Sequence, residues 1–210
     1  ISLDSVAEII QDHDHHLDHL DRTLEQAEAR LNHDIEWKRR CLAALREQRE
    51  IISHGIGTVY FAELDKMAYL EYYGAEKLRA NKKLRRQVDQ WLQGMPIVMP
   101  APCCPRELVG QDCYCPAGFM VRQADMDFLG LREEENVRVL PARLCVCTTV
   151  AQREEVGIMA KEAIEPLLIF IQQTGLCVAG DALFRCISFE SNENSSGKIY
   201  YHVMLPVEVG

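Results

Sequence analysis

From Leu17 to Ile52, apolar residues return at every seventh position. Leu17, Leu24, Leu31, Leu45 and Ile52 share one register, Lys38 fills the sixth slot, and Leu20, Ala27 and Cys41 fall on a second seam three residues on. No glycine or proline interrupts the stretch, and its flanks are charged at Asp18, Asp21, Arg22, Glu25, Glu28, Arg30, Arg39 and Arg40. Two apolar seams bordered by charge predict a coiled-coil helix of about five heptads, roughly 55 Å long, ended by the glycine of Ser53-His54-Gly55. One helix cannot bury its own seam, so a second copy of the chain is the expected partner. Ahead of it, Leu3, Val6, Ile9 and Ile10 make the stripe of a short amphipathic helix with Ser2 as N-cap and Asp4 in the first turn. Between the two, His13, His15, His16 and His19 stand among carboxylates. His15 and His19 are four apart, as metal ligands on a helix can be, but no third ligand converges on them, so the segment reads as a polar lead-in to the coil.

After Gly57 the period changes. Val59 to Tyr73 reads as one or two strands and Glu76 to Gln93 as a helix. Short β-like runs follow at Ile97 to Met99, Asp112 to Cys115 and Phe119 to Arg122. The same order then recurs. Val137 to Val150 is strand-like, and Glu154 to Thr174 is a helix with Val156, Ala160, Ala163, Leu167 and Ile171 on one face. Cys177-Val178, Leu183 to Phe189 and Ile199 to Val209 are strands, the last two joined by the turn-rich loop Ser191 to Gly197. Pro166 should kink or split the second helix. Strand–helix–strand–strand twice over predicts an α+β duplication, a repeated βαββ unit, behind the long helix. The expected domains are 1–14, a connector; 15–55, the coiled-coil dimerisation helix; and 56–210, the duplicated domain.

Charge narrows the partners. A net charge of −9 argues against these residues gripping nucleic acid. The one basic run (Lys77, Arg79, Lys82, Lys83, Arg85, Arg86) has Leu84, Val88, Trp91 and Leu92 behind it, so it reads as the solvated face of an amphipathic helix. With 48% hydrophobic residues but no membrane-length apolar run and no signal peptide, a soluble cytoplasmic location is expected. Nine cysteines in such a chain are expected to be thiols. Cys103-Cys104, Cys113-x-Cys115 and Cys145-x-Cys147 lack the C-x(2–4)-C spacing of structural zinc, and the thiols of Cys145 and Cys147 should share one strand face as small hydrophobes. No metal or cofactor is expected.

Three stretches together resemble the multidrug-sensing branch of the MerR family of transcription regulators. Ile1-Ser2-Leu3-Asp4-Ser5-Val6-Ala7-Glu8-Ile9-Ile10 is similar to the stretch that closes the family's winged-helix DNA-binding head. The long helix is similar to its antiparallel dimerisation arm, and residues from Thr58 onward resemble a GyrI-like effector domain. The ending Tyr200-Tyr201-His202-Val203-Met204-Leu205-Pro206-Val207 resembles that domain's last strand. The resemblance implies a homodimer through an antiparallel coiled coil, sensing hydrophobic or cationic small molecules. Promoter DNA and RNA polymerase would be reached only through a head upstream of Ile1. Leu176 to Phe184 aligns with the segment carrying the family's cation-binding acid, with Phe184 at the acid's position; Glu71, Glu190 or Glu63 could substitute, and the Phe184 ring could hold a cation by its π-face.

An apolar, aromatic pocket with a few polar anchors makes Tyr69, Tyr72, Tyr114, Phe119, Phe184, Phe189, Tyr200 and His202 ligand-binding candidates, together with Glu71, Glu190, Cys147 and Cys186. Strand alternation requires that about half of them point elsewhere. If Phe184 is core, the pocket lies on the opposite parity, around Leu183 and Arg185. Two rivals remain: a GyrI-like hydrolase recruiting His202, Glu190 and Cys147, which no spacing announces, and a cysteine-based metal or redox sensor. Neither catalysis nor a catalytic residue is expected.

Overall fold

The computed structural model describes residues 3–72, 81–113, 115–153, 160–192 and 195–210. The chain divides into two compact units, residues 1–43 and residues 44–210. A single helix, α1 (Leu3–Ser53), joins the expected short helix and polar lead-in to the long helix without a break. No glycine or proline interrupts residues 3–53, so nothing in the backbone forces a break. In the first unit Leu17, Leu24 and Leu31 are 56–63% exposed, and Leu20, Ile35 and Leu42 are nearly as open. The charged face pairs within the helix, as at Arg40 and Glu36, whose Nε and Oε1 lie 2.8 Å apart.

The second unit takes the last turns of α1, where Ala44 and Ile51 are buried. Its strands form two antiparallel sheets. The larger runs β1 (Tyr60–Leu64), β7 (Arg143–Arg153), β10 (Ser195–Val209), β9 (Ala182–Asn192) and β4 (Cys103–Cys104), with β8 (Leu176–Val178) also on β10. The smaller runs β3 (Met99–Pro100), β5 (Gly118–Arg122), β2 (Met67–Glu71) and β6 (Val137–Leu140), with the one-turn helix α3 (Gln123–Met126) directly after β5. One core joins Leu64, Met67, Met99 and Met120 to Cys145, Leu183 and Met204, residues of both sheets. The second core packs Ala163, Ile164, Leu167 and Ile171 of α4 (Ala160–Thr174) on Val146, Phe184, Val203 and Leu205 of the larger sheet.

Several expected elements differ. Val59 to Tyr73 holds two strands that enter different sheets: β1 pairs with β7, and β2 with β5 and β6. The run Val137 to Val150 breaks at Pro141-Ala142, where the missing proline N–H ends the ladder, and its two parts again join different sheets. Residues 112, 113 and 115 are not strand. α4 continues as one helix through Pro166. Each sheet takes strands from both halves of the sequence: β1 and β4 join β7 to β10 in the larger, and β6 joins β2, β3 and β5 in the smaller.

The helix expected from Glu76 is described from Lys82 as α2 (Lys82–Gln93). It is capped by Asn81, whose side chain accepts from the N–H groups of Lys83 and Leu84 at 3.0 and 3.1 Å. The expected starts at Ser2, Glu76 and Glu154, and basic residues Lys77 and Arg79, lie outside the described residues. Leu84, Val88 and Trp91 are buried and Lys82, Lys83, Arg85 and Arg86 exposed, as an amphipathic helix requires, whereas Leu92 turns outward at 43% exposure.

The close packing between β2 and β5 generates one prediction. A Cβ on Gly118 would overlap the phenol of Tyr69, which is itself fully buried. Gly118→Ala is therefore expected to cost about 1–3 kcal/mol in chemical denaturation, the usual penalty of overpacking. An unchanged midpoint would show that β2 and β5 have slack there.

Candidate functional site

A cavity of about 450 Å³ opens inside the second unit. Its walls come from the end of α1 (Glu47, Glu50, Ile51, His54), from β1 (Tyr60 to Leu64), from the inner face of the larger sheet (Cys145, Cys147, Arg185, His202, Met204) and from the smaller sheet (Met67, Met99, Met120, Arg122). Side chains alternate along a strand, so the residues between these face α4 instead: Val146 on β7, Phe184 on β9, Val203 and Leu205 on β10. Four methionines line one space. Unbranched, polarizable side chains let a wall adapt to ligands of different shape.

The charged groups are organised around Glu47. One carboxylate oxygen accepts from Arg122 Nη2 at 2.5 Å and the other from Arg185 Nη1. The Arg185 side chain is only 5% exposed. Burial, and secondarily the neighbouring Arg122, push its pKa below that of an ordinary guanidinium, while Glu47 opposes the shift. Arg122 also donates through Nε to Asp65 at 2.8 Å. Four carboxylate residues line the space (Glu47, Glu50, Glu63, Asp65), and two of them, Glu47 and Asp65, are paired with its two guanidiniums. Glu50 and Glu63 have no ion-pair partner among the described residues.

Aromatic groups hold the other side. The Tyr60 hydroxyl and His202 Nε2 lie 2.9 Å apart, and His54 stacks on Tyr60 with ring centroids 3.8 Å apart. His202 is pushed down to about 3, first by burial and then by Arg185 and His54, so its imidazole is neutral near pH 7. Burial pushes the Tyr60 hydroxyl up to about 12. It pushes the Cys145 thiol up to about 12 and Cys147 higher still, so both remain protonated.

Of the residues singled out in the sequence, Cys147, His202 and Glu63 line this cavity. Phe184 does not. It is fully buried against α4 and meets Tyr201 edge-to-face at 6.5 Å, and Cys186 packs against the same core. The cavity is on the opposite parity, with Arg185. Tyr69 belongs to the inter-sheet core with Arg138 4.9 Å above its ring. Tyr72 stacks on Phe119 at 5.1 Å, off the cavity, and Glu71 ends β2 half-buried. Tyr200 donates to Glu190 at 3.0 Å, away from the cavity walls. Tyr114 lies outside the described residues. Sequence reasoning missed Tyr60, His54, the methionines, Glu47 and Arg122, and named Arg185 only as the alternative to Phe184. The available signal was charge inside otherwise apolar strands, at Arg122 and Arg185. Among the described residues, no group of three or more His, Cys, Asp or Glu side chains is placed to hold a metal ion.

No protein-family model and no curated protein matches the chain. Among solved structures it is similar to EcmrR in a DNA complex, with 14% identity over 100% of this chain and 78% of that one and a TM-score of 0.43. It is similar to the EcmrR C-terminal domain, with 14% identity over 72% and 98% of the two chains and a TM-score of 0.40. A Staphylococcus aureus MU50 protein described as a bacterial transcription regulator shows 13% identity over 71% and 97%, with a TM-score of 0.40. Likeness at this level transmits no function. No helix among the described residues is long and apolar enough to cross a membrane.

His202 makes the site sensitive to acid. Its folded pKa lies below the unfolded value of 6.5, so below pH 6.5 the unfolded chain takes up a proton that the folded chain refuses. Stability should fall as pH drops from 6.5 toward 3, with a slope approaching ~1.4 kcal/mol per pH unit from this residue. Denaturation midpoints of wild type and His202→Asn across that range test it: the slope should flatten in the variant. A His202 ring resonance that titrates normally near 6.5 would refute the buried neutral state.

Proposed function

We propose that this chain is the dimerisation arm and small-molecule-sensing portion of a MerR-type transcription regulator, and that it binds hydrophobic cations. The observation that carries the reading is the cavity: mostly apolar, walled by methionines and aromatic rings, with Glu50 at its wall beyond the carboxylates engaged by arginine. That is the chemistry a bulky organic cation would use. The second unit then acts as a GyrI-like effector domain built on a duplicated βαββ plan. The exposed leucine seam of α1 packs against a second copy, antiparallel. Contact with promoter DNA and RNA polymerase belongs to a head preceding these residues, consistent with the acidic balance here.

Binding is favoured over hydrolysis by the state of the side chains. The thiols on the walls are held protonated, and His202 is neutral and engaged with Tyr60, so no activated nucleophile faces the space. Calorimetric titration with a tetraaryl phosphonium cation and a neutral triaryl phosphine oxide separates the possibilities. The cation should bind more tightly, and Glu50→Gln should cut that preference by about 0.5–1 kcal/mol, the range of charge pairs near a protein surface. Equal affinity for both probes, or turnover of an ester analogue, would reject the reading.

The arm has its own test. Replacing Leu24 and Leu31 with Asp should halve the mass seen by light scattering, since each buried carboxylate would cost several kcal/mol in an apolar seam. A dimer that survives both changes would have another interface.

A further inference from the structure

Away from the cavity, three thiols meet at the edge of the larger sheet. Cys104 lies on β4, paired with Ala182 of β9, and is fully buried. The chain leaves it through Pro105 and a single 3₁₀ turn, Arg106–Leu108. It doubles back at Gly110, whose φ of 85° favours glycine. That return places Cys113 with its Sγ 3.7 Å from the Sγ of Cys104. Cys113 and Cys115 are half-buried against the core that contains Cys104.

We propose that Cys104, Cys113 and Cys115 form a thiol modification site, at which a small-molecule disulfide is reduced as Cys104 and Cys113 join in an intramolecular disulfide. The sulfurs are under 2 Å from bonding distance, a gap that rotation about χ1 can close. Contacts with the thiols of Cys115 and Cys113 bring Cys104 down to about 7, while Cys113 is held up near 11 and Cys115 is raised. The trio therefore gives up one proton near neutral pH, and the thiolate rests on Cys104. Burial pushes Cys103, Cys145 and Cys147 up to about 12 or beyond, and the lowering effect of Arg138 on Cys103, of Arg143 on Cys145 and of the Ala62 backbone on Cys147 does not offset it.

The steps balance. Cys113, the more accessible thiol, passes its proton to the Cys104 thiolate and attacks one sulfur of the reagent, whose S–S bond breaks; the first half leaves as a thiolate and takes that proton from Cys104. The Cys104 thiolate then attacks Cys113 Sγ and expels the second half. Two protein thiols are oxidised, the reagent is reduced to two thiols, and the two protein protons end on them. Cys115 is the positioning residue, its S–H holding the charge on Cys104.

The test treats the full chain with oxidised glutathione, blocks remaining thiols, and maps tryptic peptides without reductant. Cleavage after Arg106 separates the peptide bearing Cys103 and Cys104 from that bearing Cys113 and Cys115. The two should appear linked, two hydrogens lighter, and dithiothreitol should part them. Cys103→Ser should keep the link. Cys104→Ser should abolish it and leave glutathione on Cys113. Cys113→Ser, at the less buried position, should abolish it with the fold least disturbed. Cys115→Ser should slow link formation at pH 7 while leaving it intact at pH 9. A link that persists without Cys104, or glutathione adducts with no link in the wild type, overturns the proposal.

Discussion

A buried guanidinium has to be answered by a carboxylate, and in the second unit Arg185 is answered by Glu47. Arg185 projects from β9 of the larger sheet, and Glu47 sits on the last turns of α1. The same carboxylate holds Arg122 of β5, in the smaller sheet. One side chain thus ties the end of a helix to both sheets, across a space they would otherwise leave open. Gln48 adds a second tie, donating to the carbonyl of Ile187. Removing the carboxylate would leave a buried positive charge without compensation, a far larger penalty than the loss of a surface pair. The last turns of α1 belong to the second unit for this reason, and the cavity has its shape because those turns form one of its walls.

Much of this organisation was legible in the residue pattern. The heptads of α1, the amphipathic face of α2 and the order of strands after residue 136 follow local rules of period and capping, which act over a few residues. Partner choice does not. Nothing local tells β1 from β2, or β6 from β7, as members of different sheets, because a strand's alternation describes its two faces and leaves its neighbours open. Pro141 marks the break between β6 and β7 in the sequence, and the consequence, a crossing between sheets, becomes visible only in three dimensions.

The site was harder to read for the same reason. His202 and Cys147, singled out in the sequence, line the cavity, and their odd-or-even partners on neighbouring strands (Arg185, Met204, Cys145) follow once the pairing of β7, β10 and β9 is known. Phe184 drew attention because it is aromatic and aligned with a ligand-binding position, yet it stands one residue from Arg185 and so faces α4. Cys103 and Cys104 differ in the same way: the first belongs to the inter-sheet core, the second to the thiol trio on the α4 side. His54 and Tyr60 escaped because they flank a turn, where no period exists to point them inward.

The arrangement of β10 carries a consequence for how the protein is made. This fifteen-residue strand lies between β7 and β9, and pairs with β8 as well. Both cores take residues from it. While the ribosome is still translating the preceding residues, the larger sheet has no centre, and β7 and β9 present unpaired edges and uncovered apolar faces. The sheet can close only after β10 clears the exit tunnel. The nascent second unit therefore passes through a stage at which its strand edges are sticky, and chaperone shielding matters most there.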